Sequence, residues 1–131
     1  MHFKVTLTLA ALSLTGCSPA SASEPDSHNP AHCIAAFNYA NHWLQMGHKT
    51  DLVRQGMARS LFEAQKLRSS GRSLAAAQAE SAAVTKAYGN DSEKMIALAQ
   101  GCIDAESADK QFNAEYQHLL ALVDANPSTA E

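Results

Sequence analysis

Two cysteines, Cys33 and Cys102, lie 69 positions apart, and each falls in a stretch whose apolar residues recur at intervals of three and four. If they bridge, the helices that carry them must be neighbours. In an oxidising compartment an even pair in a small domain forms a disulfide, whereas redox or metal chemistry by two free thiols would call for a C-x-x-C spacing that is missing. Closing so long a loop contributes ~4 kcal/mol in the chain-entropy account, against the roughly 5 to 15 kcal/mol of a whole domain. The third cysteine, Cys17, sits apart from these helical stretches.

The helical rhythm places the remaining elements. A first helix is expected from Pro30, whose fixed φ suits the first helical position, with Asn29 as N-cap; Cys33, Ala36, Phe37, Ala40, Trp43 and Leu44 form its apolar stripe and Gly47 stops it. This is the most aromatic stretch, so it is expected to supply the centre of the core. A second helix should start near Thr50, capped by that hydroxyl, and bury Val53, Met57, Leu61, Ala64 and Leu67, with Arg59 and Glu63 paired on its flank, before Ser69-Ser70-Gly71 ends it. Ser73 caps a third, with the stripe Leu74, Ala77, Ser81, Val84 and Tyr88, ended by Gly89-Asn90. Asn90 and Glu93 read as a capping box opening a fourth region, in which Met95, Ala99, Cys102 and Ile103 make one stripe and Phe112, Tyr116, Leu119, Leu120 and Val123 another. The polar interval Asp104 to Gln111 is either a bent joint or a span where one long helix leaves its partners, and a single long helix ending by Asn126-Pro127 is the expectation. No strand pattern occurs. The class is all-α, an antiparallel bundle of about four helices with the first stapled to the fourth by Cys33 and Cys102.

The segment before Pro30 is of another kind. Lys4 supplies the positive charge near the start, and Phe3, Val5, Leu7, Leu9, Ala10, Ala11, Leu12 and Leu14 form a short apolar run, too short for the roughly twenty residues of a membrane-spanning helix. It ends in Leu14-Thr15-Gly16-Cys17, which resembles the lipobox of bacterial lipoproteins. That resemblance implies a signal peptide over residues 1–16, a Cys17 that receives a diacylglyceryl group, cleavage just before it and acylation, palmitate-like, of the new N-terminus. Ser18 after the cysteine favours the outer membrane by the same analogy. The resemblance covers the leader only and names no family for the rest. Ordinary secretion is the alternative, with cleavage after Ala20-Ser21-Ala22, and either route leaves Cys33 and Cys102 as the remaining pair. Residues 17–29, small, polar and proline-punctuated, read as a flexible tether; 30–126 form one helical domain and 127–131 a disordered tail.

Charge narrows the partners. The chain carries a formal −3, and loss of residues 1–16 removes Lys4 and no acid, giving −4, which argues against nucleic acid. Residues 49–72 hold Lys49, Arg54, Arg59, Lys66, Arg68 and Arg72 against Asp51 and Glu63, while 91–131 hold eight acids against Lys94 and Lys110. The basic surface expected at Arg54, Arg59, Lys66, Arg68 and Arg72 either docks on the acidic half or faces an anionic partner.

Candidate chemistry is sparse. His28 and His32 stand four apart beside Cys33, although Pro30 between them spoils a shared helical face; His42, Met46 and His48 offer a soft and imidazole set suited to copper. Covalent haem is excluded by the missing C-x-x-C-H, and a non-covalent haem would need Met46 and His118 at ends that must meet. There is no G-x-S-x-G, Glu63, Glu80 and Glu115 fall on expected polar sides, and no acid pair is expected within an apolar face, so no catalytic residue and no enzyme is indicated. Two classes remain: a membrane-anchored protein-interaction module of the envelope (adaptor, inhibitor or immunity, or chaperone-like), or a periplasmic binder of a small ligand, copper or haem in or beside the bundle.

Overall fold

The computed structural model describes residues 24–126. The leader, Cys17, both cleavage sites and the tail 127–131 lie outside the described residues. Five helices follow one another: α1 Pro30–Met46, α2 Thr50–Ser69, α3 Leu74–Tyr88, α4 Ser92–Ser107 and α5 Lys110–Ala125. The described residues contain no strand.

The first helix begins as its residues require. Pro30 occupies the first turn, and Asn29 accepts from the Ala31 amide. The cap of α2 differs from expectation: Thr50 is already helical, Lys49 holds the cap position and no side chain closes it, so Asp51 is left to meet the macrodipole. Ser73 caps α3 through the Ala76 amide. At α4 the cap is Asp91 rather than Asn90, its carboxylate accepting from Lys94 N.

The single long fourth helix is corrected to two. The chain leaves α4 at Ala108, and the Asp109 side chain accepts from the amides of Gln111 and Phe112, starting a new helix at Lys110. A carboxylate that takes two orphan amides gives the backbone a place to stop and restart without glycine or proline. Asn113 then ties the joint shut, donating to the Ser107 and Asp109 carbonyls.

Helix α1 is the axis, packed on α2, α3 and α4, while α5 lies along α2. The disulfide between Cys33 and Cys102 joins α1 to α4, with Cα atoms 5.7 Å apart. Around it, Ala36, Phe37, Val84, Met95 and Leu98 form one core; Ala58, Phe62, Phe112, Leu119, Leu120 and Val123 form a second between α2 and α5. Where α1 crosses α2, the buried Asn41 sits over Gly56, and a Cβ on Gly56 would fall 2.1 Å from Asn41 Oδ1. The α2 face is rotated from expectation, with Phe62 buried and Leu61 outward.

The last residues of the expected tether, 26–29, contact the helical domain. Asp26 donates its amide to His32 Nδ1, and Ser27 lies against α4 so closely that a Cβ on Gly101 would approach Ser27 Cβ at 3.0 Å. Residues 26–29 therefore dock on the domain. No described helix is long and apolar enough to cross a membrane.

Candidate functional site

Three places hold chemistry that packing alone does not use up. The first is internal. Glu63 on α2 and Glu106 on α4 are each 2% exposed, which corrects the expectation that no acid pair stands in an apolar face. Arg59 Nη1 bonds Glu106 Oε1 at 2.7 Å, so the guanidinium pairs with α4 rather than with Glu63 one turn on. It lies over the rings of Phe112 and Tyr116, 5.1 and 5.4 Å from their centres, and Lys66 Nζ stands 3.5 Å from Glu63 Oε1. Burial first, then hydrogen bonding and like charge from Glu63, pushes the Glu106 carboxyl up to about 9, against the opposing pull of Arg59. Glu106 Oε2 meets no donor in the structure, and burial beside Glu63 favours the protonated form of the Glu106 carboxyl. The pair is closed off from solvent. It locks α2 to α4 and offers no route to a substrate.

The second place is a surface patch. Trp43, expected in the core, is 54% exposed, and Ile96 on α4 is 59% exposed. Tyr39, Ala40, Trp43 and Leu44 meet Ser92 and Ile96 around a shallow apolar depression of about 380 Å³. The indole is held edge-on by Tyr39 and His42, with ring centres 6.4 and 5.6 Å away, and the Tyr39 hydroxyl shares a 2.7 Å hydrogen bond with Ser92. The last turn of α1 extends past the first turn of α4, which is why a residue on the core-facing stripe ends up in solvent.

The third place is a cleft of about 620 Å³ between α2 and α3, floored by α1. Ile34, Ala64, Leu67, Leu74 and Ala77 line it, with Arg68 and Arg72 at the rim. A network at its edge ties α3 to the start of α1: Glu80 accepts from Asn29 Nδ2 at 2.6 Å, pairs with Arg72, and faces His32 Nε2 at 3.3 Å. The bond from Arg72, against partial burial, holds the Glu80 carboxyl below its ordinary value.

The histidine and methionine candidates lie in different surroundings. His32 is buried with Nδ1 accepting from Asp26 and Nε2 directed at Glu80, so neither nitrogen is open to a metal shared with the exposed His28. His42, Met46 and His48 are exposed at the end of α1, His48 in the left-handed region at φ 57°. His118 is exposed on α5, which leaves the haem pairing with Met46 without an enclosed site. Among the described residues no group of three or more His, Cys, Asp or Glu is placed to hold a metal ion.

The basic stretch is largely consumed within the fold. Arg54 makes a two-pronged contact with Asp124 at 2.6 and 2.9 Å, which raises the arginine and lowers the aspartate from their ordinary values; Arg59 goes to Glu106, Lys66 to Glu63 and Arg72 to Glu80. Arg68, exposed at the cleft rim, has no acid within reach among the described residues. No family model, curated protein or solved structure matches this chain.

Proposed function

We propose that this chain is a protein-interaction module of the cell envelope, held to a membrane by acylation of Cys17 and engaging a second envelope protein through the surface around Trp43. The observation that carries the reading is the patch itself. The chain's single tryptophan is half exposed, braced by Tyr39 and His42, and adjoins an exposed Ile96. A rigid aromatic anchor beside a shallow apolar depression is the usual centre of binding energy at a protein interface. Asp91 and Glu93 flank Ser92 at its edge, and acids there disfavour an anionic lipid surface as the occupant. Catalysis has no support from the buried acids, which meet no solvent. The alternative class, a binder of a small ligand, has the cleft between α2 and α3 in its favour.

A photocrosslinking residue at position 43, in cells, tests the reading. It should give a discrete heavier species that disappears with Ile96→Glu, while the same group at the exposed Ala83 on α3 should give none. Identical products from both positions, or none from position 43, would overturn it. Anchoring is tested separately by palmitate labelling, which should vanish in Cys17→Ser.

A further inference from the structure

The cleft between α2 and α3 lies apart from the Trp43 patch and has a different chemistry. The hairpin joining the two helices is short, yet they diverge from it, and α1 closes the bottom of the gap with Ile34. Leu67 and Ala77 pack with Ile34 as one buried cluster at its base, and Ala64, Leu74 and Ala82 add further aliphatic lining beside the polar Asn38, Gln78 and Ser81. Leu74 is 70% exposed, and no neighbour explains an aliphatic side chain there. Both rim cations flank the turn where the helices meet, so they sit at one end of the gap. Arg72 is neutralised by Glu80, and Glu80 is further held by Asn29 and His32, which leaves Arg68 as the uncompensated charge. The first turn of α3 starts at the same end and carries no acid, so its amide dipoles add to the positive potential. A mostly apolar cleft whose rim carries Arg68 without an acid partner among the described residues complements a molecule with one alkyl chain and one anionic head.

We propose that this cleft binds a single medium-chain fatty acid, its carboxylate paired with Arg68 and its alkyl chain lying between α2 and α3 over Ile34. The length follows from the walls. Leu74 to Ala82, the span of α3 that lines the cleft, rises about 12 Å at 1.5 Å per residue. Carbon–carbon bonds near 1.5 Å advance about 1.25 Å each along a zigzag, so about ten carbons fill that span. The cleft volume of about 620 Å³ lies in the range of ordinary small-ligand sites. An acidic amphipathic helix is the competing occupant, but the lining runs over only about two turns of α3, from Leu74 to Ala82, which is short for a helix and matches a ten-carbon chain.

The test is titration calorimetry of the full chain with sodium decanoate below its micellar concentration. One saturable site is expected. Affinity should rise about two- to fourfold per methylene from hexanoate to decanoate and then level off, because further carbons leave the walls. Arg68→Glu, an exposed position whose folding is checked by circular dichroism, should weaken decanoate about tenfold and leave decanol unaffected. Ala82→Trp, exposed at the mouth, should block both. Affinity that keeps rising through palmitate, an Arg68→Glu variant that binds decanoate as well as the parent, or saturable binding of an acidic amphipathic peptide in place of decanoate would each overturn the proposal. Ile96→Glu should leave decanoate binding unchanged, so loss of the fatty-acid site and loss of the Trp43 interface are read independently.

Discussion

Raising the pH should weaken this fold in a range where most domains are near their most stable, and Glu106→Gln should abolish the effect. In the folded chain Glu106 keeps a proton that the unfolded chain has already lost, because its carboxyl is raised from 4.5 to about 9. The folded state therefore binds more protons between those values, and stability, full below pH 4.5, falls as pH rises towards 9. Each unit in that window removes about 1.4 kcal/mol, so pH 5 to 8 removes up to about 4 kcal/mol. Glu80 and Asp124, both lowered, act in the opposite sense below pH 4.5 and leave the window untouched. In Glu106→Gln the amide oxygen still accepts from Arg59, and the side chain stays uncharged at every pH, as the protonated acid is. Guanidinium unfolding midpoints at pH 5, 6.5 and 8, with the disulfide intact, should drop for the parent and stay level for the variant, which becomes the more stable protein at pH 8. A parent whose midpoint is flat or rises from pH 5 to 8, or a variant weaker than the parent at pH 8, would refute the protonated Glu106.

Further outcomes follow from particular contacts. Reducing the Cys33–Cys102 bridge, or replacing both residues by serine, should cost ~4 kcal/mol by the loop-entropy account and lower the melting temperature accordingly. Gly56→Ala should destabilise by about 1 kcal/mol despite its better helix propensity, since its Cβ meets Asn41 Oδ1; in a double-mutant cycle Asn41→Ala should recover most of that loss. Asp109→Ala should cost about 1 kcal/mol and loosen amide protection at Gln111 and Phe112, the two amides its carboxylate holds. An unchanged exchange rate at those amides would contradict the account of the α4–α5 joint.

The all-α class, the first three helices and the disulfide are legible in the sequence, while the helix number is not, since five helices stand where about four were expected. Pro30 with Asn29, Ser73, and the glycine-bearing breaks after Met46 and Ser69 each carry a local stop or start chemistry, so α1 to α3 follow from residue type. The α4–α5 break did not, because Ala108 ends a helix with no glycine or proline, and only the cap chemistry of Asp109 marks the restart. The buried acids had a readable sign that charge concealed: Met95, Ala99 and Cys102 continue at the next helical interval to Glu106, on the same buried stripe. Treating every glutamate as solvent-facing hid it. Trp43 failed the other way. Periodicity assigns a residue to a face of its helix, but it carries no information on how far the neighbouring helix extends, and α4 begins too late to cover the end of α1. The cleft needed coordinates altogether, since the splay of α2 from α3 has no sequence mark beyond the small residues along both.

The proposed interface at Trp43 is directly observable, because Trp43 is the single tryptophan of the chain. Protein carrying 5-fluorotryptophan gives one fluorine resonance. Adding detergent-solubilised envelope extract should shift or broaden it, and Ile96→Glu should leave it as in the isolated protein. A resonance that does not respond to extract, or one that responds equally with Ile96→Glu, would contradict the proposed interface.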